Sequence, residues 1–297
     1  MLYIVNQLFR EILPLILFAV FTSTCLAGAP AITDCDRLAA HPNDPGKLTE
    51  GVDWAKLDTA AALDACERAI QRHPFSARIQ YQYARVLDKL ELYREAVKWY
   101  RKAAVQGYAS GQNSLGYAYE WGQGVESSNV KAVDWYRKAA QQGYAQAQNN
   151  LGTMYEYGKG MDADEKQALF WYKQAAEQGN AAAQRNMGIM YSKGTAVKQN
   201  YETAFHWFLK AASQDNSHAQ YSVGMSYFHG KGVNIDQEKA RHWFQKAANN
   251  GNYQASEALH QLEFRKAYCD SLNARSGSDE GFYKLTSQKW LSVRVCP

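Results

Sequence analysis

Four cysteines outside the amino-terminal apolar segment could form disulfides, bind a metal or act as nucleophiles: Cys35, Cys66, Cys269 and Cys296. No two of them stand in the Cys-x2-Cys spacing that is typical of zinc sites. An even number of cysteines in an exported chain favours disulfides over free thiols, and three pairings are possible. We favour the two local pairs, Cys35–Cys66 and Cys269–Cys296, each of which would tie down one end of the chain. Four buried thiols are the alternative.

The histidines and the glycine pairs predict no catalytic, metal or cofactor site. His206 and His242 occupy equivalent positions 36 residues apart, and neither has a second ligand four residues away, as a zinc-binding helix would provide. Gly158-Lys159-Gly160 and Gly230-Lys231-Gly232 lack the spacing of a phosphate-binding loop and are interpreted as turns. Because no serine or cysteine stands in a recognisable arrangement with histidine, we expect no enzyme.

The amino terminus predicts the export on which the disulfide argument depends. Residues 12–21 are ten apolar residues preceded by Arg10. Ten helical residues span about 15 Å, half of a bilayer's hydrocarbon, which favours a signal peptide over a transmembrane anchor. Small residues at Cys25 and Ala27 favour cleavage after Ala27, so that the signal peptide comprises residues 1–27. An uncleaved anchor and a lipidated Cys25 are the alternatives.

After cleavage we expect a periplasmic protein without stable membrane insertion, with secretion or membrane anchoring as other outcomes. The composition is that of an ordinary globular chain, with 46% apolar residues, 21% charged residues and a net charge of +4 among 297 residues. These values exclude disorder, and the absence of a lysine- and arginine-rich block argues against nucleic-acid binding.

A 36-residue repeat organises the chain from residue 109 to residue 252. Four features recur in each copy: an apolar residue followed by glycine, a tyrosine, a tryptophan followed by another aromatic residue, and an Ala-Ala pair. The glycines are Gly116, Gly152, Gly188 and Gly224, and the tryptophans are Trp135, Trp171, Trp207 and Trp243. Spacings of three and four residues predict helices, and glycines break the pattern between them. Each copy is therefore predicted to be a helix hairpin that buries its aromatic rings by stacking on its neighbours.

The chain resembles the Sel1-like repeat, a relative of the tetratricopeptide repeat, in the run Leu-Gly-x-x-Tyr-Glu-x-Gly-x-Gly-Val and in Lys-Ala-Val-x-Trp-Tyr-Arg-Lys-Ala-Ala-x-x-Gly. The resemblance implies an all-α, right-handed α-solenoid. It divides the chain into a cysteine-containing leader (28–57), tetratricopeptide-like helices (58–108), four repeats (109–144, 145–180, 181–216 and 217–252), and a capping helix with a disulfide-tied tail (253–297). Residues 270–281 are expected to be a loop.

The third repeat departs from the pattern at two positions. Ala196 replaces the second glycine of the loop, and Asp215 replaces the glycine that closes the second helix. If these positions require positive φ, each replacement costs up to about 1 kcal/mol, although aspartate tolerates that conformation better than alanine does.

The resemblance further implies a scaffold that binds a protein or an extended peptide in a concave groove, with roles in envelope signalling, secretion or host contact. In tetratricopeptide hairpins the first helix lines this groove. The corresponding residues are Asn113, Tyr117, Glu120, Trp121, Asn149, Glu156, Tyr157, Arg185, Lys193, Tyr221, Phe228 and His229. Such a groove is acidic and amide-rich at its start and aromatic at its end, which suits a basic or polar peptide with one hydrophobic anchor.

Aromatic residues contribute much of the energy of interfaces, so Trp121, Tyr157, Tyr221 and Phe228 are the expected anchors. The alternative for these rings is packing against the adjacent unit. The alternative function is β-lactam binding or hydrolysis, as reported for some secreted members of the family. Those members carry a cysteine pair in every repeat, whereas residues 109–252 contain no cysteine. An assay with a chromogenic cephalosporin separates the two functions.

Overall fold

The computed structural model describes residues 31–276, which form helices and loops with no strand. The chain divides into two units between Trp99 and Tyr100. The helices are α1 (Asp34–Ala39), α2 (Thr59–Arg72), α3 (Ala77–Lys89), α4 (Tyr93–Val105), α5 (Ala109–Trp121), α6 (Asn129–Gln141), α7 (Ala145–Tyr157), α8 (Glu165–Glu177), α9 (Ala181–Lys193), α10 (Tyr201–Ala212), α11 (Ser217–His229), α12 (Gln237–Asn249) and α13 (Tyr253–Ser276), with a 3-10 helix at Trp54–Lys56. The predicted signal peptide (1–27) lies outside the described residues.

In the second unit, each 36-residue copy forms the predicted helix hairpin, and consecutive hairpins pack on one another. The first helix of each copy ends at a glycine with positive φ: Gly122, Gly158, Gly194 and Gly230. The second helix begins after a residue whose side chain accepts a hydrogen bond from a backbone N–H of the first turn: Ser128, Asp164, Asn200 and Asp236. The fold is therefore an α-solenoid whose helix ends are specified locally in every copy.

Close approach within each hairpin explains the glycine of the first helix. A Cβ atom on Gly152 would lie 2.7 Å from Tyr172 Cδ1, and one on Gly188 would lie 2.5 Å from Phe208 Cδ1. Tyr172 also belongs to a core cluster with Met187 of the following hairpin. The second aromatic residue of each copy thus fills space inside its own hairpin and between neighbours, as predicted for the stacked core.

A periodic glutamine links each hairpin to the one before it, a feature that the sequence analysis missed. Gln148 Nε2 donates a hydrogen bond to the Ala140 carbonyl at 3.2 Å, and its Oε1 accepts one from Gln178 Nε2 at 2.7 Å. Gln112, Gln184 and Gln220 make the equivalent pairs of bonds. These buried amides give a second hydrogen bond to carbonyls at the end of a preceding second helix. Each of these carbonyls also accepts one from a backbone N–H of the following turn, as Ala140 does from Gly143.

The third copy has the backbone conformation that its two replacements were expected to strain. Ala196 has φ of 58° and Asp215 has φ of 60°, where the other copies have glycines with φ from 70° to 90°. The cost of positive φ at Asp215 is partly offset by side-chain contacts, because its carboxylate lies 3.2 Å from Lys246 Nζ and accepts a hydrogen bond from Gln220. Ala196 packs against the core cluster beneath it, and alanine tolerates positive φ less well than aspartate does. The alanine is therefore the more strained of the two residues.

We expect Ala196→Gly to leave stability unchanged or to raise it by up to about 1 kcal/mol, against the usual cost of a new glycine, because it relieves the positive φ. The measurement is the midpoint of urea denaturation. Gly179→Ala is the matched control: Gly179 has φ of 90° and no neighbour within 4 Å of an added Cβ, so alanine there should cost up to about 1 kcal/mol through backbone strain alone.

Gly160→Ala should cost more than Gly179→Ala. An added Cβ on Gly160 would lie 2.4 Å from the carbonyl carbon of Asn129, so the loop would have to shift as well. If Ala196→Gly lowers stability as much as Gly179→Ala does, the positive φ of Ala196 does not strain the loop between α9 and α10.

The first unit joins the leader to α2 and α3. The disulfide between Cys35 and Cys66 confirms the predicted local pairing and ties α1 to α2. Both cysteines are fully buried in a cluster with Ala62, Ile79 and Val86. Both α2 and α3 lie within residues 58–108, which were expected to form tetratricopeptide-like helices. The Cys269–Cys296 pair stays a prediction, because Cys296 and the side chain of Cys269 lie outside what the structure describes.

The last described helix is longer than expected. Residues 270–276 were predicted to be the start of a loop, but α13 continues to Ser276. The stretch from Asp270 to Ser276 contains serine and asparagine, which are weak helix formers, but the first glycine after Tyr253 is Gly277. Without a breaker, a helix that is already nucleated continues at small cost per residue.

Candidate functional site

The twelve candidate residues lie on the first helices of the four hairpins, α5, α7, α9 and α11. We call the surface formed by these residues the inner face. Because the four helices have the same length and the same positions relative to their glycines, equivalent side chains repeat along the stack. The differences between copies therefore decide what this face could bind.

Aromatic side chains at the start of the inner face are open to solvent. Trp121 is 60% exposed, Tyr157 is 65% exposed, and Tyr117 is 45% exposed. The rings of Tyr117 and Trp121 lie 6.1 Å apart, and Lys159 Nζ lies 5.6 Å from the centre of the Trp121 ring. Two of the four expected anchors, Trp121 and Tyr157, thus have the accessibility that a binding residue requires.

Glu120 and Glu156, predicted to make the face acidic, are held inside the stack. Tyr136 OH donates a hydrogen bond to Glu120 Oε2 at 2.9 Å, and Tyr172 OH donates one to Glu156 Oε2 at 2.6 Å. Lys159 Nζ also forms an ion pair with Glu120 at 3.0 Å, and the Glu120 side chain is only 11% exposed. Glu120 therefore offers little free negative charge to a partner.

Burial raises the pKa of both tyrosines well above the usual value. In Tyr136 the charge of Glu120 and the hydrogen bond to it add to that shift, and in Tyr172 the hydrogen bond to Glu156 adds to it. The two hydroxyl groups consequently stay protonated and remain donors throughout the physiological pH range.

The third and fourth copies lack both the tyrosine and the glutamate of this hydrogen-bonded pair. Phe208 and Phe244 stand where Tyr136 and Tyr172 stand in the earlier copies, and Ser192 and Phe228 stand where the glutamates stand. A phenylalanine has no hydroxyl group to donate, so a carboxylate beside it would lack that hydrogen bond. The inner face therefore changes from polar in the first two copies to apolar in the fourth.

Asn113, Asn149 and Arg185 occupy one repeated position at the middle of the face. Asn113 Oδ1 accepts a hydrogen bond from Asn150 at 3.1 Å, and Asn149 Oδ1 accepts one from Asn186 at 3.0 Å. Both asparagines thus connect neighbouring hairpins. Arg185 is half-buried, and burial lowers its pKa while Tyr157 and Glu156 raise it. Its guanidinium is the cationic group at this position of the face.

The fourth copy forms a cavity of about 450 Å³ with the last helix. Three predicted residues, Tyr221, Phe228 and His229, line it together with Met225, Phe244, Tyr253, Glu257 and Leu262. Tyr221 and Phe228 also pack against the core cluster below, which is the packing alternative considered for these rings. We call this space the aromatic cavity.

Sequence reasoning missed the residues that α13 adds to the aromatic cavity and the two loop lysines. Residues 253–268 were interpreted only as a cap, although Tyr253 is 79% exposed and lines the cavity. Lys159 and Lys231 were interpreted as parts of turns, and their recurrence in equivalent loops was the available signal. Lys193, the predicted residue at the end of α9, is exposed.

Comparison with known proteins identifies the family. The Sel1 repeat model matches residues 90–108, 109–144, 145–180, 181–216 and 217–252, more than half of the chain. The chain belongs to the Sel1 repeat family. The match over residues 90–108 adds a partial repeat, at α4, to the four that the sequence analysis assigned. No curated protein matches the chain.

Two solved structures resemble this Sel1 repeat protein. A Sel1 repeat protein from Oxalobacter formigenes is 36% identical with a TM-score of 0.60, over 69% of this chain and 60% of that one. A protective antigen present in uropathogenic Escherichia coli strains is 32% identical with a TM-score of 0.56, over 70% of this chain and 45% of that one. The chain thus spans less than two thirds of the length of either relative.

Family membership defines the general type of function. Sel1 and tetratricopeptide-like repeats typically bind proteins or peptides, and Sel1 repeat proteins are generally scaffolds rather than enzymes. The Cys35–Cys66 disulfide is typical of proteins from oxidising, exported environments. Within residues 31–276, no helix is long and apolar enough to cross a membrane.

Proposed function

We propose that this protein is an exported scaffold of the periplasm that binds an extended segment of a partner protein along its inner face. The exposed rings of Trp121 and Tyr157 carry this proposal. They lie at equivalent positions of successive first helices, so one peptide running along the stack would meet both. Large exposed aromatic residues are costly to leave in water and are enriched at interfaces.

The polarity of the inner face defines the type of partner segment. At its start the face offers aromatic rings and amides, with the glutamates already engaged by Tyr136, Tyr172 and Lys159. At its end it offers the aromatic cavity. A mostly polar segment with one large apolar side chain near its end would match both parts. Binding in the envelope would suit roles in signalling, secretion or host contact.

The double replacement of Trp121 and Tyr157 by alanine should reduce capture of the partner about tenfold or more, with a melting temperature changed by less than about 2 °C. Both rings are mostly exposed, so their loss removes little core packing. Phe228 is unsuitable for this test because it packs against the core cluster. Phe170→Ala is the control, since Phe170 is half exposed but lies on α8, a second helix.

The partner is identified by placing a photo-crosslinking amino acid at position 121, 157 or 170 in the native envelope and sequencing the crosslinked peptides. We expect positions 121 and 157 to capture the same segment of one protein, and position 170 to capture none of it. Different proteins at 121 and 157, or equal crosslinking at 170, would contradict a shared inner face. An equal fall in capture and melting temperature for the double variant would show that the rings are structural.

A further inference from the structure

A second cavity lies beside the aromatic cavity and shares part of its wall. It has a volume of about 350 Å³, and Tyr221, Met225 and His229 line both spaces. Its remaining lining is mostly hydroxyl-bearing or cationic: Ser192, Lys193, Tyr201, Ser222, Ser226 and Lys231, with Ala204 and Phe208 as the apolar members. An apolar site and a cationic, hydrogen-bonding site therefore adjoin within the same part of the stack.

The repeat shows what is unusual about the two lysines. Lys193 and Lys231 are separated by the same number of residues as Trp121 and Lys159, so they occupy equivalent positions two copies further along. In the earlier pair, the ammonium of Lys159 is neutralised by Glu120 and lies over the Trp121 ring. In the later pair, Ser192 replaces the glutamate and Lys193 replaces the tryptophan. One neutralised lysine in the earlier pair is therefore replaced by two lysines that line the same cavity.

The positive charge at this cavity is not balanced by an ion pair. Among the side chains of residues 31–264, which the structure describes, no carboxylate lies within ion-pairing distance of Lys193 or Lys231. Lys231 Nζ lies 5.4 Å from the centre of the Tyr201 ring. Burial and the charge of Lys231 lower the pKa of His229, so this shared wall residue is neutral at pH 7. An anion at the two lysines would relieve the repulsion between like charges.

Because the two cavities share Tyr221, Met225 and His229 in their walls, a single ligand that fills both must carry an anionic group close to a large apolar group. In a peptide, the carboxyl-terminal residue meets this requirement, because its carboxylate and its side chain are attached to the same carbon atom. An inorganic anion would satisfy the lysines but leave the aromatic cavity empty. An internal apolar residue would fill the aromatic cavity but bring no carboxylate of its own.

We propose that the third and fourth repeats bind the carboxyl-terminal residue of the partner, with its free carboxylate at Lys193 and Lys231 and its aromatic or large aliphatic side chain in the aromatic cavity. This inference rests on the proposed function, and it places the end of the bound segment at the fourth repeat. The preceding polar residues of the partner would then run back toward Tyr157 and Trp121.

The test uses N-acetyl-phenylalanine, which has a free carboxylate, and its amide, which does not, with binding to the full chain followed by NMR. The acid should bind at least about tenfold more tightly than the amide, because only the acid forms charge-assisted contacts. Replacing both lysines by glutamine, Lys193→Gln with Lys231→Gln, should reduce the affinity for the acid to that for the amide. Inorganic phosphate alone should compete only weakly, since it leaves the aromatic cavity empty.

Two further variants make the result specific. Lys159→Gln changes the equivalent lysine of the second repeat and should leave the ratio of acid to amide affinity unchanged. Tyr253→Ser removes an exposed cavity ring and should weaken both ligands alike. Equal binding of acid and amide, no binding of either, or an undiminished preference for the acid in the double lysine variant would overturn the proposal.

Ligand binding at the terminal site and partner capture along the inner face are tested by separate measurements. Crosslinking at positions 121 and 157 does not depend on the two lysines. If those positions capture a common segment while N-acetyl-phenylalanine does not bind, the scaffold proposal stands and the terminal site does not. If N-acetyl-phenylalanine binds as expected while positions 121 and 157 capture no common segment, the terminal site is supported and the shared inner face is contradicted.

Discussion

Replacing both Cys35 and Cys66 by alanine is expected to lower the stability of the first unit by roughly 3–4 kcal/mol. The disulfide joins residues 31 positions apart, and in the chain-entropy model closure of such a loop restricts the unfolded chain by that amount. The loss should be large for this unit, because α1 is only six residues long and depends on the bond and on the cluster around it for its place against α2.

Hydrogen exchange measures this effect separately in the two units. Backbone amides of α2 and α3 should exchange faster in the double variant, whereas those of α6 to α11 should be unchanged. Reducing the unmutated protein with dithiothreitol should reproduce the same pattern, which separates loss of the bond from loss of the two sulfur atoms. Unchanged protection in α2 and α3 would mean that the cluster alone maintains the unit.

Arg85→Met should cost the first unit about 3 kcal/mol or more. The Arg85 side chain is almost fully buried, and its guanidinium donates to the carbonyls of Ala39 at 3.0 Å, Ala40 at 2.8 Å and Val52. Methionine fills a similar volume but removes this donor. The Ala40 carbonyl keeps the hydrogen bond from the backbone N–H of Val52, whereas the Ala39 and Val52 carbonyls lose the guanidinium, and each buried group that loses its partner costs about 1–3 kcal/mol.

Arg68→Met is the matched control, measured by the same urea denaturation. Arg68 forms an exposed ion pair with Asp64 one helical turn away, so its loss should cost less than about 1 kcal/mol. The pKa of His41 gives a second measurement. This pKa is lowered to about 4, mainly by burial and to a smaller extent by the charge of Arg85. The pKa of His41 should rise in Arg85→Met and not in Arg68→Met. Equal destabilisation by both variants would contradict the role assigned to Arg85.

The inner face illustrates how a repeat can vary its binding surface without changing its fold. The exchange of Tyr136 and Tyr172 for phenylalanine in later copies preserves the ring that lies over the repeat glycine. The accompanying loss of the glutamates removes polar groups from the surface above. Each pair therefore changes the chemistry of the face while the packing inside the hairpin stays the same.

Much of the architecture could be predicted from the sequence because its causes are local. The hairpins follow from helical spacing and from glycines at the helix ends, and the positive φ of Ala196 and Asp215 follows from the glycines at equivalent positions in the other copies. The Cys35–Cys66 pair was favoured because it is local in sequence and ties down one end of the chain, and the structure contains it. The end of α13 was predicted wrongly, since weak helix formers alone do not stop a helix.

By itself the sequence determined the repeat period, the hairpins and the family, all of which depend on residue type and spacing along the chain. Only the tertiary structure decided which of the predicted side chains are free. It showed that Glu120 is engaged by Tyr136 and Lys159, that Arg85 holds the leader through its carbonyls, and that α13 completes the aromatic cavity. These contacts join residues distant in sequence, and their partners are selected by packing geometry, which a periodic pattern does not specify.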